Sequence, residues 1–342
     1  MRRLFWVVSL TKKFSSRKAF FLPTSGKRRR RRRRREKKIE GGGGGGGGGD
    51  KIDFFFDSPK MVVMVAEDGP TTTTVSVSYA SPSISIISLH SEPANAMDVQ
   101  FWTALRDALE SVESNPTARA CIFLSRLKRD IFTAGNDIKE LYAPETTAER
   151  YSAFWRMQTT FLTRLLVSPL VTIAGIRGAC PAGGAMLSLC CDYRVQTLHK
   201  TSTFGLNEVM LGIPVPKFWA MRFCEVTSSK ALGEKLLLRG ALAKPREALR
   251  YGLIDEVCEE GMLEKRVMEI AEKMKQVPRD GYAKTKVNLR GEFAEQWYRY
   301  GCDEEARDGF RMLCEPAIVK QLKRVLDGLK RGAEAKKASS KL

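Results

Sequence analysis

Three short segments of this chain carry glycines and one glutamate in an order that could support acid–base chemistry. They are residues 132–138, residues 178–186 and residues 204–213, the last of which contains Glu208. Glycine permits tight turns that aim backbone N–H groups at one point, and the second turn leads into a predicted helix whose N-terminal dipole favours negative charge. Two such turns could hold an oxyanion while a carboxylate moves a proton.

Each segment also has an ordinary structural explanation. A strand–glycine–helix junction is common, and Glu208 could be a surface carboxylate near a helix start, with Asn207 as the cap. Asp137 and Glu140 are alternative acids, although residues this close to a glycine bend more often cap a helix or face solvent. The three segments together are more specific than any one of them, so Glu208 is the predicted acid/base.

The surrounding sequence predicts the strands and helices that would position these segments. Apolar residues alternate with polar ones in strand fashion, or recur at helical spacing, over stretches separated by turn residues. The predicted strands are 75–79, 83–90, 120–125 and 170–176, and the predicted helices run from about 99 to 112 and from about 147 to 166. Beyond about Ser228 the pattern is mostly helical, so the predicted fold class is α/β with a helical C-terminal region.

The positive charge of the chain is concentrated outside the predicted fold. Of the formal net charge of +19, residues 1–60 supply +14 through 19 Lys and Arg against 5 Asp and Glu, which leaves +5 for residues 61–342. A net charge of this size does not indicate a nucleic-acid-binding surface, and it suits a small anionic ligand. Eight cysteines without a C-x-x-C pair, and two histidines, predict no metal site.

Residues 1–60 do not resemble a folded domain. An arginine run at 28–35 and a glycine run at 41–49 predict a disordered leader, and the mature protein could start at Met61 or Met64. The other predicted regions are a core at 61–260 and a helical region at 261–342. No run of about 18 apolar residues occurs, so no membrane span is expected.

The order and spacing of the three segments resemble the enoyl-CoA hydratase/isomerase, or crotonase, family over roughly residues 70–330. The resemblance implies a spiral of ββα units with a C-terminal helical region, assembled as a homotrimer or a dimer of trimers. It implies an acyl-CoA substrate, no separate cofactor, and an oxyanion hole formed by the backbone N–H groups of Asn136 and Gly183. The substrate-binding positions that it further implies are Ala94, Ala96, Ala134, Gly135, Asp137, Ile138, Met186 and Asn207.

Residue types at two positions distinguish the reactions of this family. Its hydratases place two glutamates across the substrate, and here those positions are Met186 and Glu208. Moving a double bond needs one base that takes a proton from C2 and returns it at C4. The single glutamate therefore favours a Δ3,Δ2-enoyl-CoA isomerase acting in the β-oxidation of unsaturated fatty acids. Residues 214–219, Pro-Val-Pro-Lys-Phe-Trp, resemble the isomerase type, and their apolar bulk is expected to raise the pKa of Glu208.

The two ends of the chain predict where the protein works. Ser340, Lys341 and Leu342 match the S-K-L signal, which predicts binding to the peroxisomal import receptor and a location in the peroxisome or glycosome. The basic N-terminus favours the mitochondrion as the alternative. Other functions stay open: hydration or thioester hydrolysis by another member of the family, a nucleic-acid-binding homologue that uses the arginine run, and a catalytically silent scaffold.

Overall fold

The computed structural model describes residues 74–339, with side chains described as far as residue 332. The predicted leader at 1–60 and the C-terminal S-K-L residues lie outside the described residues, and the predicted boundary at residue 260 stays a prediction. The strands are β1 (Val75–Ser81), β2 (Ile84–Leu89), β3 (Ala120–Ser125), β4 (Val171–Ile176), β5 (Ala179–Pro181), β6 (Tyr193–Thr197), β7 (Thr203–Gly205) and β8 (Glu256–Cys258). The helices are α1 (Val99–Ser114), α2 (Ala148–Leu166), α3 (Gly183–Cys190), α4 (Lys217–Val226), α5 (Lys230–Leu238), α6 (Pro245–Arg250), α7 (Leu263–Met274), α8 (Arg279–Tyr300), α9 (Ala306–Leu313) and α10 (Pro316–Ser339).

The main sheet has the strand order β1-β2-β3-β4-β6-β8, and β5 pairs with β7 in a small second sheet. Strand β1 is antiparallel to β2, whereas every other pairing is parallel. Parallel strands end at the same edge of a sheet, so the segments that follow β3, β4 and β6 are brought together there. These are the segments that contain the two glycine turns and Glu208.

Helices cover both faces of the sheet, and this explains why its central strands are buried throughout. Helices α1 and α2 pack together on one side, where Trp102, Phe123 and Phe161 form an aromatic contact. Helix α7 packs on β3, β4 and β6 from the other side through Val267 and Ala271. Each fully buried Val or Phe side chain contributes roughly 1.5–3 kcal/mol to the free energy of folding.

The C-terminal helices are fixed to the sheet by a buried ion cluster. Asp192, immediately before β6, accepts hydrogen bonds from Lys286 at 2.6 Å and from Arg290 at 2.7 Å, both on α8. Lys286 also donates to the carbonyl of Leu170 at 2.7 Å. Helix α8 also packs on α2. The predicted α/β core with a helical C-terminal region is confirmed.

The segment after the first glycine turn forms two short 3-10 turns, Ile138–Glu140 and Ala143–Glu145, before α2 begins. The Asp137 side chain accepts a hydrogen bond from the Lys139 N–H and closes the first turn, and Pro144 limits the second. Across residues 74–339, every helix is too short or too polar to cross a membrane.

Candidate active site

The first glycine turn is shaped by Gly135. Its φ angle is +88°, in a region that side chains other than glycine rarely adopt. The turn also packs closely on the second one, because a Cβ on Gly135 would lie 3.0 Å from Ala182 Cβ and 3.3 Å from Gly183 N. Glycine at 135 therefore allows the two turns to touch.

Asn136 follows this glycine, and Met97 holds the residues on both sides of it. The Met97 N–H donates to the Gly135 carbonyl at 2.9 Å, and the Asp137 N–H donates to the Met97 carbonyl at 3.0 Å. Since strand-like backbone alternates the direction of its N–H groups, the Asn136 N–H points away from Met97, and within residues 74–339 it donates no hydrogen bond. The side-chain oxygen of Asn136 instead accepts from Trp102 Nε1 at 3.2 Å, which holds the amide towards α1.

The second turn ends at the N-terminus of α3. Ala182 has φ +49° and ψ −124°, a strained conformation for a residue with a side chain. The first hydrogen bond of the helix runs from the Met186 N–H to the Ala182 carbonyl at 3.0 Å, so the Gly183 N–H has no acceptor among the described residues. A Cβ on Gly183 would lie 3.3 Å from Asn136 N. Two unpaired N–H groups thus lie side by side.

Glu208 begins a 3-10 turn, Glu208–Leu211, just beyond β7, and Gly212 with φ +80° ends it. The side chain of Glu208 is buried, with 5 % of its surface exposed. Neither carboxyl oxygen has a hydrogen-bond partner among the described residues. Burial raises the pKa of Glu208 from 4.5 to about 7, and an interaction with its own backbone N–H offsets part of that effect. The expectation of a raised pKa agrees with this environment.

Asn136 and Glu208 line the same cavity, which has a volume of about 970 Å³. Eight of the predicted site residues line it: Ala94, Ala96, Ala134, Asn136, Asp137, Ile138, Asn207 and Glu208. Most of the remaining wall is apolar and aromatic, and it includes Pro214, Val215, Pro216 and Trp219 from the predicted wall, Trp155 from α2 and Val325 from α10. This is the composition of a pocket for a largely apolar ligand with a few polar anchors.

Three predicted residues are not in the cavity wall. Gly135 and Gly183 are buried within the two turns, where the absence of a Cβ lets the backbones of the turns approach each other. Met186 was expected to line the acyl pocket, but its side chain is completely buried, because all eight residues of α3 are enclosed by the core. The position that would hold a second glutamate in a hydratase therefore holds a thioether packed in the core.

The alternative acids are already committed to other contacts. Asp137 lines the cavity, but its carboxylate accepts from the Lys139 N–H at 2.9 Å. Glu140 is buried and forms a bidentate ion pair with Arg150, with both contacts at 2.8 Å. Glu208 is thus the candidate whose carboxyl oxygens are free to meet a ligand.

Comparison with known proteins agrees with this geometry. The sequence profile described as enoyl-CoA hydratase/isomerase matches residues 80–306. The chain belongs to this family. It is 30% identical to mitochondrial enoyl-CoA delta isomerase 1 of Mus musculus over 247 residues, which cover 72% of this chain and 84% of that protein.

Solved structures extend the likeness to the fold of this family. The human mitochondrial delta3-delta2-enoyl-CoA isomerase matches with a TM-score of 0.71 and 29% identity, over 76% of this chain and 99% of that one. An enoyl-CoA hydratase from Bacillus halodurans matches with a TM-score of 0.66 and 24% identity, over 73% of this chain and 99% of that one. The second likeness shows the fold alone, and the predicted spiral fold is confirmed.

Sequence reasoning missed three residues that support the site: Asn95, Arg129 and Glu305. Asn95 is buried with φ +50°, and its side-chain nitrogen donates to the Phe132 carbonyl at 2.8 Å and to Ser125 Oγ at 3.1 Å. It therefore ties the Ala94–Ala96 loop to the first glycine turn. The signal was present in the sequence, since Asn tolerates positive φ better than most residues do. Arg129, at the cavity mouth, donates to the Pro93 carbonyl at 3.2 Å.

A third residue, Glu305, gave no local signal. It lines the same cavity from the turn between α8 and α9, and Trp155 Nε1 donates to it at 3.1 Å. The contact spans 150 positions of the sequence, so no nearby pattern could indicate it. Within residues 74–339, no three metal-binding side chains form a cluster.

Proposed function

We propose that this chain is a Δ3,Δ2-enoyl-CoA isomerase, which converts a 3-enoyl-CoA into the trans-2-enoyl-CoA. The observation that carries the proposal is the single unpartnered carboxyl of Glu208 in a cavity that Asn136 also lines, with Gly183 packed against Asn136. Met186 stands where a hydratase would hold its second glutamate. The likeness to the mouse and human mitochondrial isomerases supports the same reaction.

In the proposed reaction one side chain handles one proton. The carboxylate of Glu208 removes a proton from C2, and the electron pair spreads over the thioester carbonyl and the C3–C4 double bond to give a dienolate. The charge on the thioester oxygen is stabilised by the N–H groups of Asn136 and Gly183. Glu208, now a neutral acid, returns the proton to C4, so that the double bond forms between C2 and C3 and the carboxylate is regenerated.

The environment of Glu208 suits both halves of this cycle. With a pKa of about 7, the group is present in both charge forms near neutral pH, so it is a stronger base than an exposed glutamate and still a usable acid. The proline, valine and tryptophan side chains in the cavity wall offer no hydrogen bond that could replace water around the carboxylate, except the Trp Nε1 groups. The N–H groups of the two turns are already aimed, so they need little reorganisation when the dienolate forms.

The cavity also suits the two parts of an acyl-CoA. Arg129 is exposed at the mouth, beside Ala94 and Ala96, where a guanidinium can pair with phosphate groups of the CoA moiety. Apolar side chains such as Trp155 and Val325 suit the acyl chain. The proposed substrate carries its own activating group, the thioester, so the reaction calls on no separate cofactor.

Assembly and location belong to the same proposal. A homotrimer or a dimer of trimers follows from the family resemblance, and light scattering on the full-length protein would distinguish them. The S-K-L residues favour the peroxisome or glycosome, whereas the mitochondrial relative favours the mitochondrion. Imaging of the full chain, with and without residues 340–342, would decide between the two locations.

The test is an assay of the full-length protein with a 3-enoyl-CoA, beside the variants Glu208→Gln and Glu304→Gln. Glu304 is exposed and does not line the cavity, so the second variant makes the same chemical change away from the site. The proposal expects trans-2-enoyl-CoA from the parent and the control, and a loss of several orders of magnitude in Glu208→Gln. Hydration of a 2-enoyl-CoA or hydrolysis of the thioester as the main activity would instead assign one of the other reactions of the family.

A further inference from the structure

Glu305 is a second acid in the cavity wall, and the proposed mechanism does not use it. It ends a five-residue π-helical turn, Gly301–Glu305, between α8 and α9. Such turns insert one extra residue into a helix and frequently occur at functional sites, because they redirect side chains. Arg156 holds this turn in place by donating from Nε to the Cys302 carbonyl at 2.8 Å. The turn therefore delivers the Glu305 carboxyl to the cavity at a defined position.

Neutral donors from two other elements bind this carboxyl. Trp155 Nε1 donates to one oxygen at 3.1 Å, and the Lys217 backbone N–H donates to the other at 3.3 Å. The ammonium group of Lys217 is directed elsewhere, since its Nζ lies 4.6 Å from the centre of the Tyr300 ring and 5.6 Å from that of Phe218. Among residues 74–339, Glu305 forms no ion pair.

The titratable groups around Glu305 are Lys217 on α4, Tyr151 on α2 and Tyr300 on α8. Burial raises the pKa of Glu305, and the hydrogen bonds from Trp155 and from the Lys217 backbone, followed by the charge of Lys217, offset part of that rise. Glu305 in turn raises the pKa values of Tyr151 and Tyr300, for which burial is the larger cause. A carboxyl in this setting binds through its hydrogen bonds more than through its charge.

These hydrogen bonds connect Glu305 to the start of α4 by two routes. Lys217 is the first residue of α4, and Pro216 before it has no side chain that could cap the helix, so Glu305 supplies the cap from another element. Trp155 reaches the same helix by stacking on Trp219, with ring centroids 6.2 Å apart and an interplanar angle of 17°. Residues 214–219 thus meet Glu305 both directly and through a tryptophan pair.

The same segment forms part of the cavity wall that Glu208 shares. Pro214, Val215, Pro216 and Trp219 all line the cavity, as does Glu305 itself. If this segment moved outward, water could reach the carboxyl of Glu208. We propose that Glu305 is a positioning residue, which holds residues 214–219 in the cavity wall and thereby keeps Glu208 dehydrated. The inference rests on the proposed function of Glu208, and it contrasts with a role of Glu305 in helix capping and stability alone.

The contact can be broken from either partner. Glu305→Gln places an amide NH₂ opposite one of the two N–H donors. Lys217→Pro removes the donor N–H, and proline is well tolerated at the first position of a helix. Lys217→Ala is the matched control for the second change, because it removes the same side chain and keeps the N–H. Glu304→Gln is the control for the first change, because it neutralises an exposed carboxylate one residue away.

The experiment measures the pKa of Glu208 in each full-length variant by ¹³C NMR of labelled glutamate carboxyls, with the Glu208 signal assigned from Glu208→Gln. The parent value is expected at about 7. Glu305→Gln and Lys217→Pro are expected to lower it by at least about one unit, because water reaches the carboxyl. Lys217→Ala and Glu304→Gln are expected to keep it. In the isomerase assay, kcat of the first two variants should fall about tenfold or more, with a smaller change in KM.

Each other outcome overturns a defined claim. A Glu208 pKa that stays the same in Glu305→Gln and Lys217→Pro, even with reduced thermal stability, shows that Glu305 is a cap and no more. A lowered pKa in Glu305→Gln but not in Lys217→Pro shows that the effect comes from charge, which also overturns the positioning role. A parent without isomerase activity overturns the proposed function, while the NMR titration still decides whether Glu305 keeps Glu208 dry.

Discussion

The backbone nitrogen of Asn136 lies 3.3 Å from the position that a Cβ would occupy on Gly183, and the side-chain oxygen of Asn136 lies 2.9 Å from it. Two turns that follow different strands therefore meet with no room for a methyl group between them. The Asn136 and Gly183 N–H groups both lack an acceptor among the described residues, which is what the proposed oxyanion hole requires of its two donors.

Gly183→Ala should separate these donors. The added Cβ would lie 2.9 Å from Asn136 Oδ1 and 3.3 Å from Asn136 N, so Asn136 must move by a few tenths of an ångström and the direction of its N–H changes. Loss of one oxyanion donor typically lowers kcat by about 10²–10³, and we expect an effect of that order, measured with a 3-enoyl-CoA. Gly281→Ala is the control, because Gly281 lies in α8 with nothing within 4 Å of an added Cβ. Equal activity of the two variants would contradict the assigned oxyanion hole.

The pH dependence of the reaction should report Glu208. The base must be ionised in the free enzyme, and its pKa is about 7. Activity as kcat/KM should therefore fall about tenfold per pH unit on the acidic side, with the midpoint near pH 7, well above that of an ordinary glutamate. The profile is measured from pH 5 to pH 9 with a substrate that does not titrate in this range. A flat profile down to pH 5 would show that the carboxyl is hydrated.

Glu208→Gln should stabilise the protein in a pH-dependent way. Because the folded state holds this proton more tightly than the unfolded chain, the parent loses stability as the pH rises from about 4.5 through about 7. Above that range the buried carboxylate destabilises the fold by roughly 3 kcal/mol. The variant should therefore melt at a higher temperature than the parent at pH 8, and the difference should shrink towards pH 5. Thermal unfolding at both pH values checks this, and a variant less stable than the parent at pH 8 would contradict the burial of an unpaired carboxylate.

Met186→Glu should damage the fold more than it alters the reaction. The Met186 side chain is completely buried in α3, so a carboxylate at this position would lose its contact with water. We expect the free energy of unfolding at pH 8 to fall by several kcal/mol, with a smaller loss at pH 5, where the added acid can stay neutral. Met186→Leu conserves volume and should change stability by less than about 1.5 kcal/mol. A stable Met186→Glu variant that gains hydratase activity would show instead that this side chain reaches the cavity.

The parts of the site that sequence could predict are those in which local residue types determine local backbone. The glycines at 135 and 183 indicate turns, and the apolar stretches before them indicate the strands that bring those turns to one edge of the sheet. Glu208 stands out because it follows a strand and precedes an apolar segment. For these residues the spacing along the chain carries the structural information.

The rest depends on contacts between distant parts of the chain. Glu305 meets Trp155 across 150 positions, and α10 closes the cavity through residues such as Val325. The sequence also could not show which way Met186 points, because a short helix with eight apolar or small residues has no polar face to orient it. The enclosure of α3 on every side follows from the packing of α2 and α4 around it.

In the proposed mechanism one dehydrated carboxyl carries a proton from C2 to C4. A 3-enoyl-CoA with deuterium in place of both hydrogens at C2 tests it directly, in a single turnover in ordinary water with the product analysed by NMR. Transfer by Glu208 predicts a substantial fraction of product with deuterium at C4 from the parent enzyme, and no measurable transfer in Glu208→Gln. Product whose new C4 hydrogen comes entirely from solvent would contradict a single base shielded from water.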